Sequence, residues 1–374
     1  MAGNGESAGI HGPSRPLRRG WTTGACATAA ATAALRALLG TDFPDPVTVV
    51  LPEGRSPAFP LGYRQRSVDR AGAGVIKDAG DDPDVTHGAL VIARIRLLAS
   101  GGGLVFRAGE GVGTVTRPGL PLPPGEPAIN PGPRAMIADN LTRVWQAAGG
   151  RGVPDAEVEI AIPGGAVLAE RTLNGRLGIV GGLSVLGTTG VVVPYSCAAW
   201  VHSIHQAVNV ARAAGLDHLA AVTGKASEAG VRALIPDLDE AAVIDVGDFV
   251  GGFLKYLRRQ PVARVTLAAG FAKASKLAAG HLNLHSKASE VDIPRLAALL
   301  RSVGGTPGQV ALAGAAGTGL GVLELARAAG LPLADAVAVR ARTVALQAVA
   351  HRLAVEVAVF DRAGALVGHA PPAP

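Results

Sequence analysis

The stretch of residues 201–279 constrains the fold most, because helix-like segments and uninterrupted apolar runs alternate along it. A helical pattern over 201–214 is followed by Leu219-Ala220-Ala221-Val222, and a loop beginning at Thr223 leads into another helix. An apolar run at 242–246, a helix at 252–259, the run Arg264-Val265-Thr266-Leu267 and a helix over 272–279 continue the rhythm. A strand with one wet face alternates apolar and polar residues, whereas one that is apolar throughout has to be covered on both faces. Alternation with helices therefore predicts a parallel sheet flanked by helices, an α/β domain that is Rossmann-like in its layering. Helical patterns between 293 and 354 complete this part, and 355–367 reads as a hairpin around Arg362-Ala363-Gly364.

The upstream part has another order. Thr22-Thr23-Gly24 opens an Ala-rich helix over 25–39 that Gly40 ends. A short strand at 47–51 follows, then β pattern over 75–115 with a turn at Gly101-Gly102-Gly103, a helix over 131–148 and an alternating strand at 157–162. Strands clustered in this way predict an α+β domain. The expected organisation is a flexible leader at 1–17, an α+β domain at 18–197, an α/β domain at 198–368 and a tail at 369–374.

Composition excludes several classes. A chain of 374 residues suits two domains, each with its own core. With 48% hydrophobic and 17% charged residues it is globular, and with only 3% aromatics its cores have to be built from Ala, Val, Leu and Ile. No apolar run spans a membrane without interruption, and the leader lacks the apolar middle of a secretory signal, so a cytoplasmic protein is expected. The net charge of +6 is spread, with 18 basic and 16 acidic residues in 1–200 against 17 and 13 in 201–374. Without a basic stripe, nucleic acid is a poor partner, while a small polyanionic substrate suits a mildly basic protein. Cys26 and Cys197 are too few for a disulfide framework and have no zinc-site spacing, which points to buried apolar roles for both.

Three segments carry chemistry. Lys77-Asp78-Ala79-Gly80-Asp81-Asp82-Pro83-Asp84 holds four aspartates in seven residues. Such carboxylates repel one another unless a cation joins them, so the loop either raises a carboxylate pKa, binds a metal, orients a cationic ligand, or is a solvated turn whose aspartates cap backbone amides. The Gly-rich run from Gly178 through Gly181-Gly182 to Thr188-Thr189-Gly190 fits neither a dinucleotide fingerprint nor a P-loop; its glycines let backbone approach a ligand or simply form tight turns. Thr223-Gly224-Lys225-Ala226-Ser227 and Gly270-Phe271-Ala272-Lys273 each follow an expected parallel strand, where open α/β sheets bind ligands. His281 and His285 are spaced for one helical face, and His202 and His205 lie three apart, but neither pair has a third ligand.

Taken in order, these blocks resemble the CbiD family, the cobalt-precorrin-5B C1-methyltransferases of cobalamin biosynthesis. The resemblance rests on Gly20-Trp21-Thr22-Thr23-Gly24-Ala25-Cys26-Ala27, residues 75–86, Gly109-Glu110-Gly111-Val112-Gly113 and Gly125-Glu126-Pro127-Ala128-Ile129-Asn130-Pro131. It continues through Arg176-Leu177-Gly178-Ile179-Val180-Gly181-Gly182, Thr223-Gly224 with Ser227-Glu228, Gly247-Asp248-Phe249-Val250-Gly251 and Lys276-Leu277-Ala278-Ala279-Gly280, spanning about 18–366. The chain departs from the pattern at Val193, Ala272 and Leu284.

The resemblance implies methyl transfer from S-adenosylmethionine to C1 of a cobalt tetrapyrrole whose own metal makes a protein-bound one unnecessary. Transient contact with neighbouring cobalamin-pathway enzymes goes with that role. A non-catalytic protein that binds and hands over corrinoid intermediates is the alternative. The expected site has Asp78, Asp81, Asp82 and Asp84 at the active cleft, handling a proton or orienting the sulfonium, with Thr22, Thr23, Gly24 and Lys77 beside them. Gly181, Gly182, Thr188, Thr189, Thr223, Gly224 and Ser227 are expected to border cofactor or substrate.

Overall fold

The computed structural model describes residues 16–99 and 101–373, so the expected leader lies almost wholly outside the described residues. The protein is mixed α/β and divides into two compact units. The first takes the described residues through Gly113, then Pro127–Thr172 and Gly181–Ser196. The second takes Thr114–Glu126, Leu173–Val180 and the described residues from Cys197 onward.

At the centre of the first unit is helix α1 (Thr23–Leu38), in which every residue except Arg36 and Leu38 is buried. Its run of alanines explains why: small side chains let the helix lie against the sheet on one side and a second helix on the other. Its buried threonines stay satisfied within the helix, as the Thr28 and Thr32 hydroxyls donate to the carbonyls of Gly24 and Thr28 at 2.8 and 2.7 Å. The sheet is built from β1 (Tyr63–Arg66), β2 (Arg70–Ile76), β3 (Leu90–Leu97), β4 (Leu104–Ala108) and, after helix α2 (Pro131–Ala147), β5 (Ala156–Ala161). Its order is β1-β2-β3-β5-β4. The strands on either side of the three-glycine turn therefore do not pair: β5 enters between them, antiparallel to β3 and parallel to β4. The strand expected at 47–51 shrinks to Val47–Thr48, paired with Ala58–Phe59.

The second unit begins with α3 (Cys197–Ala213), β6 (His218–Val222), α4 (Lys225–Leu234), β7 (Val243–Asp245), α5 (Val250–Arg259), β8 (Arg264–Gly270) and α6 (Phe271–Ala278). Helices α7 (Ile293–Ser302), α8 (Pro307–Gly314), α9 (Gly319–Ala328) and α10 (Leu333–Ala348) precede β9 (Ala354–Phe360) and β10 (Leu366–Ala373). The sheet order is β7-β6-β8-β9-β10, parallel except for the last pair. The apolar strands serve both faces: Leu219 and Ala221 enter the large core cluster, while Ala220 and Val222 enter a second one with Val231 of α4.

Three expectations are corrected here. Residues 369–373 are not a tail but part of β10, where buried Ala370 pairs with Val357 and His369 bonds Glu356 at 2.7 Å. Cys197, at the start of α3, is exposed, because the first turn of that helix faces outward; only Cys26 is buried. His281 and His285 do not share a helical face, since α6 ends at Ala278 and both sit exposed on the following loop. In that loop Leu284, one of the departures from the family pattern, enters the core. No helix of the described residues is long and apolar enough to cross a membrane.

Candidate functional site

Three segments distant in sequence converge in the first unit. The amides of Trp21, Thr22 and Gly24 donate to the carbonyls of Asp78, Gly190 and Leu186 at 2.7, 3.0 and 3.0 Å. Glycine is obligatory at the first crossing. A Cβ on Gly20 would lie 2.0 Å from the Ala79 carbonyl carbon, and one on Gly80, whose φ is +68°, would lie 2.2 Å from the Arg18 carbonyl oxygen. Thr22 caps α1 by accepting from the Ala25 amide at 3.2 Å, and both Thr22 and Thr23 are buried. Gly24 is less tightly constrained, since a Cβ there would lie 2.8 Å from the Pro133 side chain of α2 and 3.1 Å from the Leu186 carbonyl oxygen.

The acidic loop answers its own repulsion. Arg18 forms a two-pronged ion pair with Asp78, its Nη2 lying 2.9 Å from Oδ1, and its amide donates to Asp81 Oδ2 at 2.7 Å. Lys77, only 1% exposed, donates to Asp84 Oδ2 at 2.6 Å. The other Asp84 oxygen accepts from the Thr86 amide and hydroxyl at 2.7 and 2.6 Å. Asp82 Oδ1 accepts from the amide of Tyr195 at 2.8 Å, and Tyr195 is exposed at a left-handed φ of 56°. The arrangement corrects the expectation of a raised carboxylate pKa at two positions. The Arg18 hydrogen bond, helped by the Gly80 amide, holds Asp78 at about 2. Burial works to raise Asp84, but the charge and hydrogen bond of Lys77 and the Thr86 bonds outweigh it and leave it lowered. Both therefore stay ionised at neutral pH, as fixed charges and not proton carriers. Among the described residues, Asp81 and Asp82 each have one carboxylate oxygen bonded and one without a hydrogen-bond partner.

Arg18, Tyr195 and His87 also belong to this loop, although no sequence motif marks them. The exposed His87 accepts the Ala79 amide at Nδ1 (3.1 Å), which puts the ring hydrogen on Nε2 and leaves that nitrogen as a hydrogen-bond donor. Its place three residues after Asp84 was the available signal; nothing local pointed to the other two.

The Gly-rich segment is explained by geometry. Gly178, Gly181, Gly187 and Gly190 have φ of 72°, 85°, 115° and 81°, and a Cβ on Gly182 would strike the Gly111 carbonyl at 2.3 Å. Thr188 and Thr189 are exposed, the latter in a local turn with Val191.

In the second unit, Thr223, Gly224 and Ser227 sit at the carboxyl end of β6. The Ser227 hydroxyl accepts the Thr223 amide at 3.1 Å and donates to the Gly224 carbonyl at 2.8 Å, so it ties the loop internally. Lys273 donates to the Thr223 carbonyl at 2.5 Å and lies 3.0 Å from Asp248. The two strand-end loops and the start of the β9–β10 turn line a cavity of about 390 Å³, walled by Phe271, Leu323 and Phe360 and rimmed by Lys225, Glu324 and Arg362. A larger groove of about 620 Å³ lies at the other edge, beside Asp217 and Ala263, where the strands begin. Among the described residues no three or more His, Cys, Asp or Glu side chains are placed to hold a metal ion.

Family models match this sequence twice: CbiD over residues 11–194 and the CbiD C-terminal domain over 283–371. The cobalt-precorrin-5B C(1)-methyltransferase of Rhodospirillum rubrum is 59% identical, covering 95% of this chain and 97% of its own. The chain belongs to the CbiD family. Proteins of the same name from Bradyrhizobium sp. and Paramagnetospirillum magneticum are 57% and 56% identical, each covering 95% of this CbiD chain and 94% and 98% of their own. A crystal structure of the cobalamin biosynthesis protein CbiD from Archaeoglobus fulgidus is 24% identical over 84% of this chain and 85% of that one, at a TM-score of 0.39.

Proposed function

We propose that this chain is a transferase that moves a methyl group from S-adenosylmethionine to C1 of cobalt-precorrin-5B, giving cobalt-precorrin-6A. The observation that carries this reading is 59% identity to a cobalt-precorrin-5B C(1)-methyltransferase along nearly the full length of both proteins. Bound S-adenosylmethionine supplies a methyl group on a positively charged sulfur. Transfer to carbon is an in-line displacement, accelerated mainly by holding the two reactants close and aligned.

What the chain supplies is position and charge. We read the second unit as Rossmann-like, on the strength of its parallel strands and two covered faces, with Thr223, Gly224 and Ser227 bordering a ligand. In the acidic loop, Asp78 and Asp84 fix Arg18 and Lys77 in place. The second oxygens of Asp81 and Asp82 are the groups to meet a ligand or move a proton, and the Nε2–H of His87 is a donor to a ligand. The exposed Tyr195 joins this loop through its amide bond to Asp82, and we assign the exposed Thr188 and Thr189 of the same unit to the border of the ligand. Thr22, Thr23 and Gly24 hold the segment beneath.

Incubation with cobalt-precorrin-5B and S-adenosylmethionine should add one methyl group, detected by mass spectrometry. An Asp81→Asn, Asp82→Asn double variant keeps the amide-accepting oxygens but loses both charges. It should fold normally and lose about 100-fold in kcat, the lower end for a proton-transfer group. Unchanged turnover would remove both aspartates from the chemistry.

A further inference from the structure

We infer that the adenosyl and amino-acid portions of the methyl donor are held in the second unit, in the cavity at the carboxyl ends of β6, β8 and β9, with Gly270 kept small to admit them. The inference rests on S-adenosylmethionine being the donor.

Topology selects the place. From β6 the chain crosses to β7 on one side, then returns to β8 on the other, so the order reverses between β6 and β8. Connections that leave in opposite directions open a crevice at the strand ends, which is where open α/β sheets bind ligands. The cavity lies there, and the larger groove lies at the wrong edge of the sheet.

Gly270 gives an independent reason. Its φ of −70° and ψ of 154° suit any residue, and a Cβ built on it would meet nothing within 4 Å. Neither backbone nor packing therefore asks for glycine, unlike the glycines at 178–190, where turns and close approach account for each. Among the described residues Gly175, Gly308, Gly314 and Gly317 are equally unconstrained, but of these five only Gly270 lines the cavity, so the space a side chain would fill there is left for an occupant.

Size and lining say which. About 390 Å³ is near the small end for a ligand site and suits a nucleoside with an amino-acid arm, not a four-ring macrocycle with its carboxylate chains. Phe271, Leu323 and Phe360 line the cavity and offer an apolar wall for a flat base. Glu324 at the rim can accept from a ribose diol or an ammonium group, and Lys225 can pair with a carboxylate.

Calorimetric titration with S-adenosylhomocysteine, the product form of the donor, tests this on the full chain without catalysis. The wild type should bind, Gly270→Val should bind at least 10-fold more weakly, and the exposed conservative change Glu324→Gln at least 3-fold more weakly. The melting temperature of Gly270→Val should stay level or rise, since a side chain compatible with the native backbone restricts the unfolded chain. Equal binding by wild type and both variants would place the donor elsewhere and overturn the inference while leaving the methyltransferase reading intact. No binding by the wild type, together with no methyl transfer, would overturn that reading as well.

Discussion

At the scale of residues, the buried Lys77 and its partner Asp84 are the most exacting pair in the first unit. Removing one partner strands the other's charge, so Asp84→Ala should cost about 3 kcal/mol in urea denaturation, and adding Lys77→Met should restore part of it. Arg18 and Asp78 lie at the surface and are sensitive to pH in a defined window. A folded-state pKa depressed to about 2 means the pair stabilises above the ordinary value of 3.8 and is lost as pH falls from there through 2. The destabilisation of an Arg18→Met variant should accordingly be measurable at pH 6 and shrink toward pH 2. Burial pushes the Cys26 thiol up to about 12, whereas Cys197 is exposed. Native protein treated with N-ethylmaleimide at neutral pH should carry one adduct, on Cys197; labelling of Cys26 would show that the core around α1 opens.

At the scale of elements, the last strand has no strand pattern in its final residues, yet it completes the sheet. His369 and Ala370 pair with Ala358 and Val357, and His369 also bonds Glu356, which is buried against Arg264 and Thr266. Proline-rich ends usually fray, but β10 is an edge strand whose register shifts between Ala370 and Ala373. Pro371 and Pro372, which have no N–H to give, therefore fall where the ladder is broken, and the Pro371 carbonyl accepts from Arg342. Truncation after Gly368 should lower the melting temperature by at least about 5 °C, as expected when roughly 2 kcal/mol is lost from a domain of this size. A silent truncation would return these residues to the status of a tail.

At the scale of the whole molecule, the two units have separate cores, so ligand effects can be assigned to one or the other by hydrogen exchange. At 100 times its Kd, S-adenosylhomocysteine should slow exchange about 100-fold in peptides spanning 223–227 and 270–273 where they open with the ligand site. Protection confined to 178–190 would instead favour the Gly-rich segment. The sequence by itself determined the alternation of helix and apolar strand after residue 200, the buried helix α1, and the family, because local periodicity, small-residue runs and unusual blocks are properties of neighbouring residues. Only the tertiary structure decided that β5 separates β3 from β4, that 369–373 form a strand, and that Arg18 and Tyr195 close on the acidic loop. Those outcomes depend on contacts between residues up to 113 positions apart, as for Asp82 and Tyr195, and no local pattern encodes them. The same contacts separate the glycines that turns and packing require from Gly270, which neither requires and which lines the cavity of the second unit.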